Sequence, residues 1–389
     1  MSHGTGRHTA DDLVAPRYGE ASIADLVPSA MAAVGLGAPN PLDLPPCDAA
    51  VVLVVDGLGA RQLREHAAAA PFLAGRLDDP IDAAFPTTTA ASLASIGTGL
   101  PPGQHGIAGY AIGHPDHDQP FNLLTWRVGC RGGGFDAREV IPPETYQPTP
   151  TALERAGDLG ARVAVVVHPD FTDSGLTRAG LRGGTRVEAV GLAGTVEAAV
   201  AATRGRGPML VYAHHGDVDT MGHVYGAGSE QWSSALSAVD AELERIAELL
   251  PRGTALYVTA DHGMVTVPEE EVFELVDHDE LTAGVRVLAG EPRVRQLWVE
   301  PDARDDVLAA WQETLDGRAV VVAREDAIAA GWFGVVADHV LDRIGEVVAV
   351  ATRGSMVHRE VDPFGGRLLG QHGALSRDEV EVPLIRIQP

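Results

Sequence analysis

The segment Ala49-Ala50-Val51-Val52-Leu53-Val54-Val55, followed at once by Asp56-Gly57, carries seven apolar residues without a polar interruption. A strand with one wet face alternates apolar and polar residues. An unbroken β-branched run ending in a turn pair is instead the pattern of a strand covered on both faces, as in a parallel sheet. Comparable runs recur at 161–167, 209–213, 255–260 and 347–351. Between them lie helical patterns such as 233–250, where Leu236, Val239, Leu243, Ile246 and Leu250 recur at spacings of three and four. Strand and helix alternate, which predicts an α/β fold with a doubly wound, mostly parallel sheet.

In such sheets ligands collect at the carboxyl ends of the strands. Asp56 follows the first run, His214-His215-Gly216-Asp217-Val218-Asp219 follows the third, and Asp261-His262-Gly263 follows the fourth. Any one of these reads as a turn, since Asp-Gly is a common turn pair; all three together point to chemistry. Asp219 and His223 stand four residues apart, so on a helix they share a face, either as a surface ion pair or as two ligands of one ion. Asp261 and His262 are adjacent and would face opposite ways in a strand, so both must lie in the turn beyond it to reach one place. His372 stands between glycines in Gln371-His372-Gly373. The set Asp56, Asp219, His223, Asp261, His262 and His372 suits two zinc-like divalent ions with three protein ligands each, leaving open positions for a hydroxyl and a substrate.

Composition narrows the partners. The 29 basic and 54 acidic residues give a formal net charge of −25, which disfavours nucleic acid polymers and anionic membranes. An anionic small-molecule substrate then requires local positive charge, which divalent ions supply. Every basic residue is arginine, which excludes Schiff-base chemistry and the lysine-dependent phosphate loop. Cys47 and Cys130 make neither a disulfide framework nor a four-cysteine zinc site. Residues 1–18 hold no apolar core of signal-peptide length and no run reaches membrane-spanning length, so a cytoplasmic protein is expected. Nothing in the composition specifies an oligomeric state. The expected organisation is a Pro-rich lead-in over 1–48 packed on the core and a catalytic core over 49–263 and 371–389. A smaller α/β lobe is inserted over 264–370, with strands at 294–300 and 319–323 and helices at 302–315 and 326–331. The chain closes with an edge strand over 380–387.

One stretch places hydroxyls at a helix start: Ala84-Phe85-Pro86-Thr87-Thr88-Thr89-Ala90-Ala91-Ser92, continuing to Gly97-Thr98-Gly99. Threonine is a preferred cap, and the unpaired N–H groups of a first helical turn also attract anions. Spacing alone does not choose among the three threonines.

An ordered series carries a resemblance: Val54-Val55-Asp56-Gly57, Phe85-Pro86-Thr87-Thr88-Thr89, His105-Gly106-Ile107, Asp219-Thr220-Met221-Gly222-His223, Asp261-His262-Gly263-Met264 and Gln371-His372-Gly373. From about residue 50 to the C-terminus it resembles the alkaline phosphatase superfamily, most nearly the nucleotide pyrophosphatase/phosphodiesterase family. The resemblance implies one ion on Asp219, His223 and His372, and a second on Asp56, Asp261 and His262, with Thr89 as the nucleophile bound to the second ion. The ions implied are zinc, with manganese as the alternative. The implied reaction is hydrolysis of phosphodiesters or nucleotide pyrophosphates through a threonyl phosphate. Where diesterases of this kind carry an asparagine three residues after the nucleophile, this chain has Ser92, assigned as a hydrogen-bond donor to the phosphoryl group. The alternatives are a phosphomonoesterase or phosphonate hydrolase of the same superfamily and, from another class, a non-catalytic metal- or ligand-binding relative. Tyr110, Trp126, Phe135, Tyr146 and Tyr225 are the aromatic candidates for a nucleobase pocket.

Overall fold

The computed structural model describes residues 13–129, 134–362 and 367–389; Cys130 and the first twelve residues of the lead-in lie outside the described residues. The central sheet has six strands: β1 (Ala49–Val55), β2 (Arg162–Val167), β3 (Thr185–Glu188), β4 (Met209–His215), β5 (Thr254–Thr259) and β6 (Ile385–Ile387). Their spatial order is β6-β5-β1-β4-β2-β3, parallel throughout except for β6, which closes one edge antiparallel to β5. All seven residues of β1 are buried, as its unbroken apolar run predicts. Register pairs Val54 with both His214 and Thr259, so β1, β4 and β5 end level with one another. The Asp56 N–H donates to the His215 carbonyl at 2.9 Å, which seats the first acidic residue at this edge. Strand order reverses at β1, and such a reversal opens a crevice beyond the carboxyl ends.

Four helices bear on the site and its support: α1 (Leu26–Ala33), α2 (Thr89–Thr98), α3 (Asp217–Tyr225) and α4 (Glu230–Ala247). Ser229 caps α4 by accepting the Trp232 N–H at 3.1 Å, and Trp232, Leu236, Val239, Leu243 and Ile246 are buried at the expected spacing. In α2 small residues permit close approach: a Cβ at Gly97 would lie 2.1 Å from the Gly180 carbonyl. The helix ends at Gly99 with φ of +67°, the left-handed conformation that favours glycine. From Leu13 onward the lead-in packs on the core. Leu26, Val27, Ala30 and Met31 of α1 are buried, and Arg17 holds Asp82 bidentately.

The structure corrects three local readings and adds a fourth, unread feature. The run at 347–351 is not in the central sheet. Val347–Ala351 is an inner strand of a separate antiparallel sheet with Val285–Glu291, Val294–Val299 and Ala319–Ala323. It is apolar throughout because both faces are covered, by Trp311 and Leu315 in one cluster and by Trp332 and Phe333 in another. Two-sided burial, not parallel pairing, generates such a run. Second, β4 extends through His214 and His215, so these imidazoles belong to the strand rather than to the turn after it. Third, the C-terminal segment divides into a helical turn (Arg377–Val380), a short strand (Glu381–Val382) paired with Ile81–Asp82, and β6. Fourth, the short strands Ala111–His114, His117–Asn122, Arg127–Val128 and Phe135–Asp136 form an antiparallel sheet that the polar sequence there does not announce. A cluster containing Phe85, Val294, Phe333 and Leu375 ties the second sheet to the segments flanking Thr89 and His372. Among the described residues no helix is long and apolar enough to cross a membrane.

Candidate metal centre

The site is assembled where β1, β4 and β5 end. Gly57 turns the chain out of β1 at φ +72°, and a Cβ there would lie 2.9 Å from the Asp219 Cα, so the Asp-Gly pair admits α3 against the strand end. On α3, Asp219 and His223 lie one turn apart with Oδ2 and Nε2 separated by 3.4 Å. After β5, Asp261 Oδ1 accepts the N–H groups of Gly57 and His262, both at 3.1 Å, which pins the turn. His372 arrives from the loop after the second sheet, its ring stacked on that of His262 with centroids 3.7 Å apart.

Hydrogen bonds dictate what the three imidazoles offer. His223 Nδ1 lies 2.8 Å from the Gly370 carbonyl, His262 Nδ1 3.0 Å from that of Gly263, and His372 Nδ1 2.8 Å from that of Thr87. A carbonyl only accepts, so each Nδ1 carries its proton and each neutral ring presents a bare Nε2. The Nε2 atoms of His223 and His372 face each other at 3.3 Å. Two lone pairs at that distance cannot bond to one another; they fit a shared cation. A ring N–H held by a backbone carbonyl is the usual support of a metal-ligating histidine.

The carboxylates match. Asp56 Oδ1, Asp219 Oδ1 and Asp261 Oδ2 are buried without a hydrogen-bond partner. Burial pushes the Asp56 carboxyl well above the usual range, with the nearby charges of Asp261 and Asp219 adding to it. Burial also raises Asp219, against the pull of His223 and His262. Burial, with His262 and His223 alongside, holds His372 well below the ordinary imidazole value. Cations among these groups would draw both carboxyls back down and keep His372 deprotonated, and the residues therefore fit divalent metal. Ligand atoms of Asp219, His223 and His372 lie within 4.8 Å of one another, as do those of Asp56, Asp219 and His262. Asp219 thus belongs to both triplets. Asp261 stands beside the second, its bare Oδ2 3.5 Å from His262 Nε2.

Geometry separates the threonines. Thr87 donates to the Ala374 carbonyl at 2.8 Å and accepts the Gly373 N–H at 3.0 Å, a structural tie to the His372 loop. Thr88 holds the N-cap position without a side-chain capping bond. Thr89, first residue of α2, places Oγ1 3.3 Å from His262 Nε2. Ser92, one turn on, is fully buried, with its hydroxyl unpaired and outside the cleft lining.

A cleft of about 470 Å³ opens from Asp56, Thr89 and Asp219. Leu93, Leu124, Val167, Phe171, Leu176 and Leu181 make its walls largely apolar, and Arg138 and His168 also line it. None of the five aromatic candidates lines it. Trp126 and Tyr146 are packed edge-on with Phe121 in the core, and Phe135 and Tyr225 are exposed elsewhere. The aromatic residues in the lining are Phe171 and Tyr212. Sequence reasoning also missed His214, which lines the cleft and reaches Asp56 at 3.0 Å. Its position at the strand end beside Asp56 was the available signal. Glu291, brought from the second sheet, lies with Oε2 3.6 Å from His372 Nδ1 and is pushed well above its usual range by burial and by Glu379.

Among solved structures, human ectonucleotide pyrophosphatase / phosphodiesterase 5 is similar with a TM-score of 0.64 at 20% identity, covering 87% of this chain and 88% of that one. Its murine counterpart, an inactive threonine-to-alanine variant in complex with AMP, gives 0.64 at 18% identity with the same coverage. Phosphonoacetate hydrolase from Sinorhizobium meliloti 1021, in complex with phosphonoformate, gives 0.64 at 21% identity, covering 87% of this chain and 89% of that one. Identities this low speak for the fold alone. No curated protein matches the sequence. The family described as type I phosphodiesterase / nucleotide pyrophosphatase matches over residues 50–375, a span that includes Thr89 and every ligand candidate. The chain belongs to the type I phosphodiesterase / nucleotide pyrophosphatase family.

Proposed function

We propose that the protein hydrolyses small-molecule phosphodiesters or nucleotide pyrophosphates at a centre for two zinc ions, with Thr89 as nucleophile. The observation that carries this reading is the convergence of three bare imidazole nitrogens and three unpartnered carboxylate oxygens beside the Thr89 hydroxyl. Asp219, His223 and His372 would hold one ion and Asp56, Asp261 and His262 the other, with Asp219 close enough to serve both. Such ions supply a lowered pKa for a bound hydroxyl and positive charge against the phosphoryl oxygens. Thr89 Oγ, giving up its proton, forms the new bond to phosphorus as one ester oxygen departs with its electron pair and takes up a proton; water then attacks phosphorus, the bond from phosphorus to Thr89 Oγ breaks, and the remaining phosphomonoester is released as Thr89 regains its proton. The first-turn N–H groups of α2, unpaired within the helix, face the same charge. Inactivity of the murine neighbour's threonine variant supports a threonine in this role.

The cleft supports the diester over the monoester or phosphonate. Its walls are mainly apolar, and Arg138 is already held by both oxygens of Asp136. A monoanionic diester with a large uncharged ester group suits that lining better than a dianion. The test is a panel of bis-p-nitrophenyl phosphate, a dinucleotide, a nucleotide sugar, p-nitrophenyl phosphate and phosphonoacetate. Diesters should lead in kcat/KM by tenfold or more. A monoester or phosphonate in first place would move the assignment to that class, and no turnover by metal-replete protein would leave the non-catalytic reading.

A further inference from the structure

His214 belongs to the site, yet neither the motif series nor the ligand triplets absorb it. It is the penultimate residue of β4, where pairing with Val54 of β1 sets it beside the chain that leads into Asp56. His214 Nε2 lies 3.0 Å from Asp56 Oδ2, with side chains only 16% and 9% exposed. The other oxygen, Asp56 Oδ1, is buried, has no hydrogen-bond partner and points toward His262 Nε2 at 3.6 Å.

We infer that His214 is a positioning residue of the metal centre: its ring donates Nε2–H to Asp56 Oδ2 and leaves Oδ1 as the single ligand atom. A carboxylate with two free oxygens can rotate about its terminal torsion, bind an ion through both oxygens, or swing toward another partner. Fixing one oxygen from a rigid central strand fixes the direction of the other. Asp261 shows the same division by backbone means, with Oδ1 held by two N–H groups and Oδ2 bare. At Asp56 the backbone N–H is spent on the His215 carbonyl, and the side chain is held by an imidazole instead. Hydrogen-bonded support of ligating carboxylates is worth roughly 10–100-fold in metal affinity.

This inference rests on the metal-centre reading, and its test separates the two. Zinc and manganese affinities are measured by competition with a chromophoric chelator for the wild type, His214→Leu, which keeps bulk but cannot donate, and His214→Gln, whose amide can. Far-ultraviolet dichroism and melting of the metal-free variants accompany each measurement. The expected result is about a 10–100-fold loss for one of two ions in the Leu variant, with most of it recovered in the Gln variant. Equal affinities in all three proteins would overturn the inference, as would a change confined to KM, which would make His214 a substrate contact. Should the Leu variant not fold, His214→Met takes its place under the same criteria. A wild type that binds no divalent ion would overturn the metal-centre reading itself, and this inference with it.

Discussion

Three consecutive threonines have three fates, and only their surroundings separate them. Thr87 is a structural tie, Thr88 occupies a cap position, and Thr89 alone faces the ligand cluster. Thr87→Val should therefore destabilise the fold by about 1–3 kcal/mol, since it leaves the buried Gly373 N–H unpaired, and denaturant unfolding would measure this. Asp261→Asn keeps the shape of the turn but replaces a bare carboxylate oxygen by an amide. Metal analysis of the purified variant should show a lowered content, and unchanged stoichiometry would remove Asp261 from the ligand set. At this scale the ligand candidates were legible in residue type, with Asp56, Asp261 and His262 also marked by their place after an apolar run and Asp219 and His223 by their spacing. The choice of Thr89 came only through the family resemblance, since neighbouring hydroxyls differ only in where a folded chain aims them. Phe171 and Tyr212 were illegible for the same reason, being brought to the cleft from separate segments.

Among the elements, β1 and α4 could be read directly because burial on both faces, or on one helical stripe, writes itself into hydrophobic periodicity. The second sheet shows the limit of that signal. Val347–Ala351 carries the same apolar run as β1 yet pairs antiparallel in another layer, because periodicity reports coverage and not partner or direction. The short strands at 111–136 gave no signal because they are two to six residues long, and His117–Asn122 and Phe135–Asp136 are mostly not buried. Gly57 is where an element boundary controls the site. Gly57→Ala would force a side chain into φ +72° and against Asp219. The expected cost is about 1–3 kcal/mol of stability, together with a drop in metal affinity. Calorimetric melting and metal titration of the same variant would check both.

Across the whole molecule, a formal charge of −25 surrounds a buried carboxylate cluster that is itself anionic at neutral pH unless protons or cations intervene. Burial raises Asp56 and Asp219 above their unfolded values, so the metal-free fold loses stability as pH climbs from about 4, the unfolded carboxylate range, through the raised folded values. His372 is lowered, so its contribution has the opposite sense: stability is lost as pH falls below about 6.5, the unfolded imidazole range. Divalent ions take the deprotonated form of every one of these groups. The melting temperature of the metal-loaded protein should therefore exceed that of the chelated protein by a margin that widens from about pH 5.5 to pH 8; a constant or shrinking margin would contradict the ligand set. The central claim, a two-ion centre that activates Thr89, is tested most directly by hydrolysis of bis-p-nitrophenyl phosphate with bound metal counted in the same samples. The wild type should hold two ions per chain and turn over, while Thr89→Ala should retain most of the metal and lose about a thousandfold or more in kcat. Equal rates in the two proteins, or turnover by wild type stripped of metal, would contradict it.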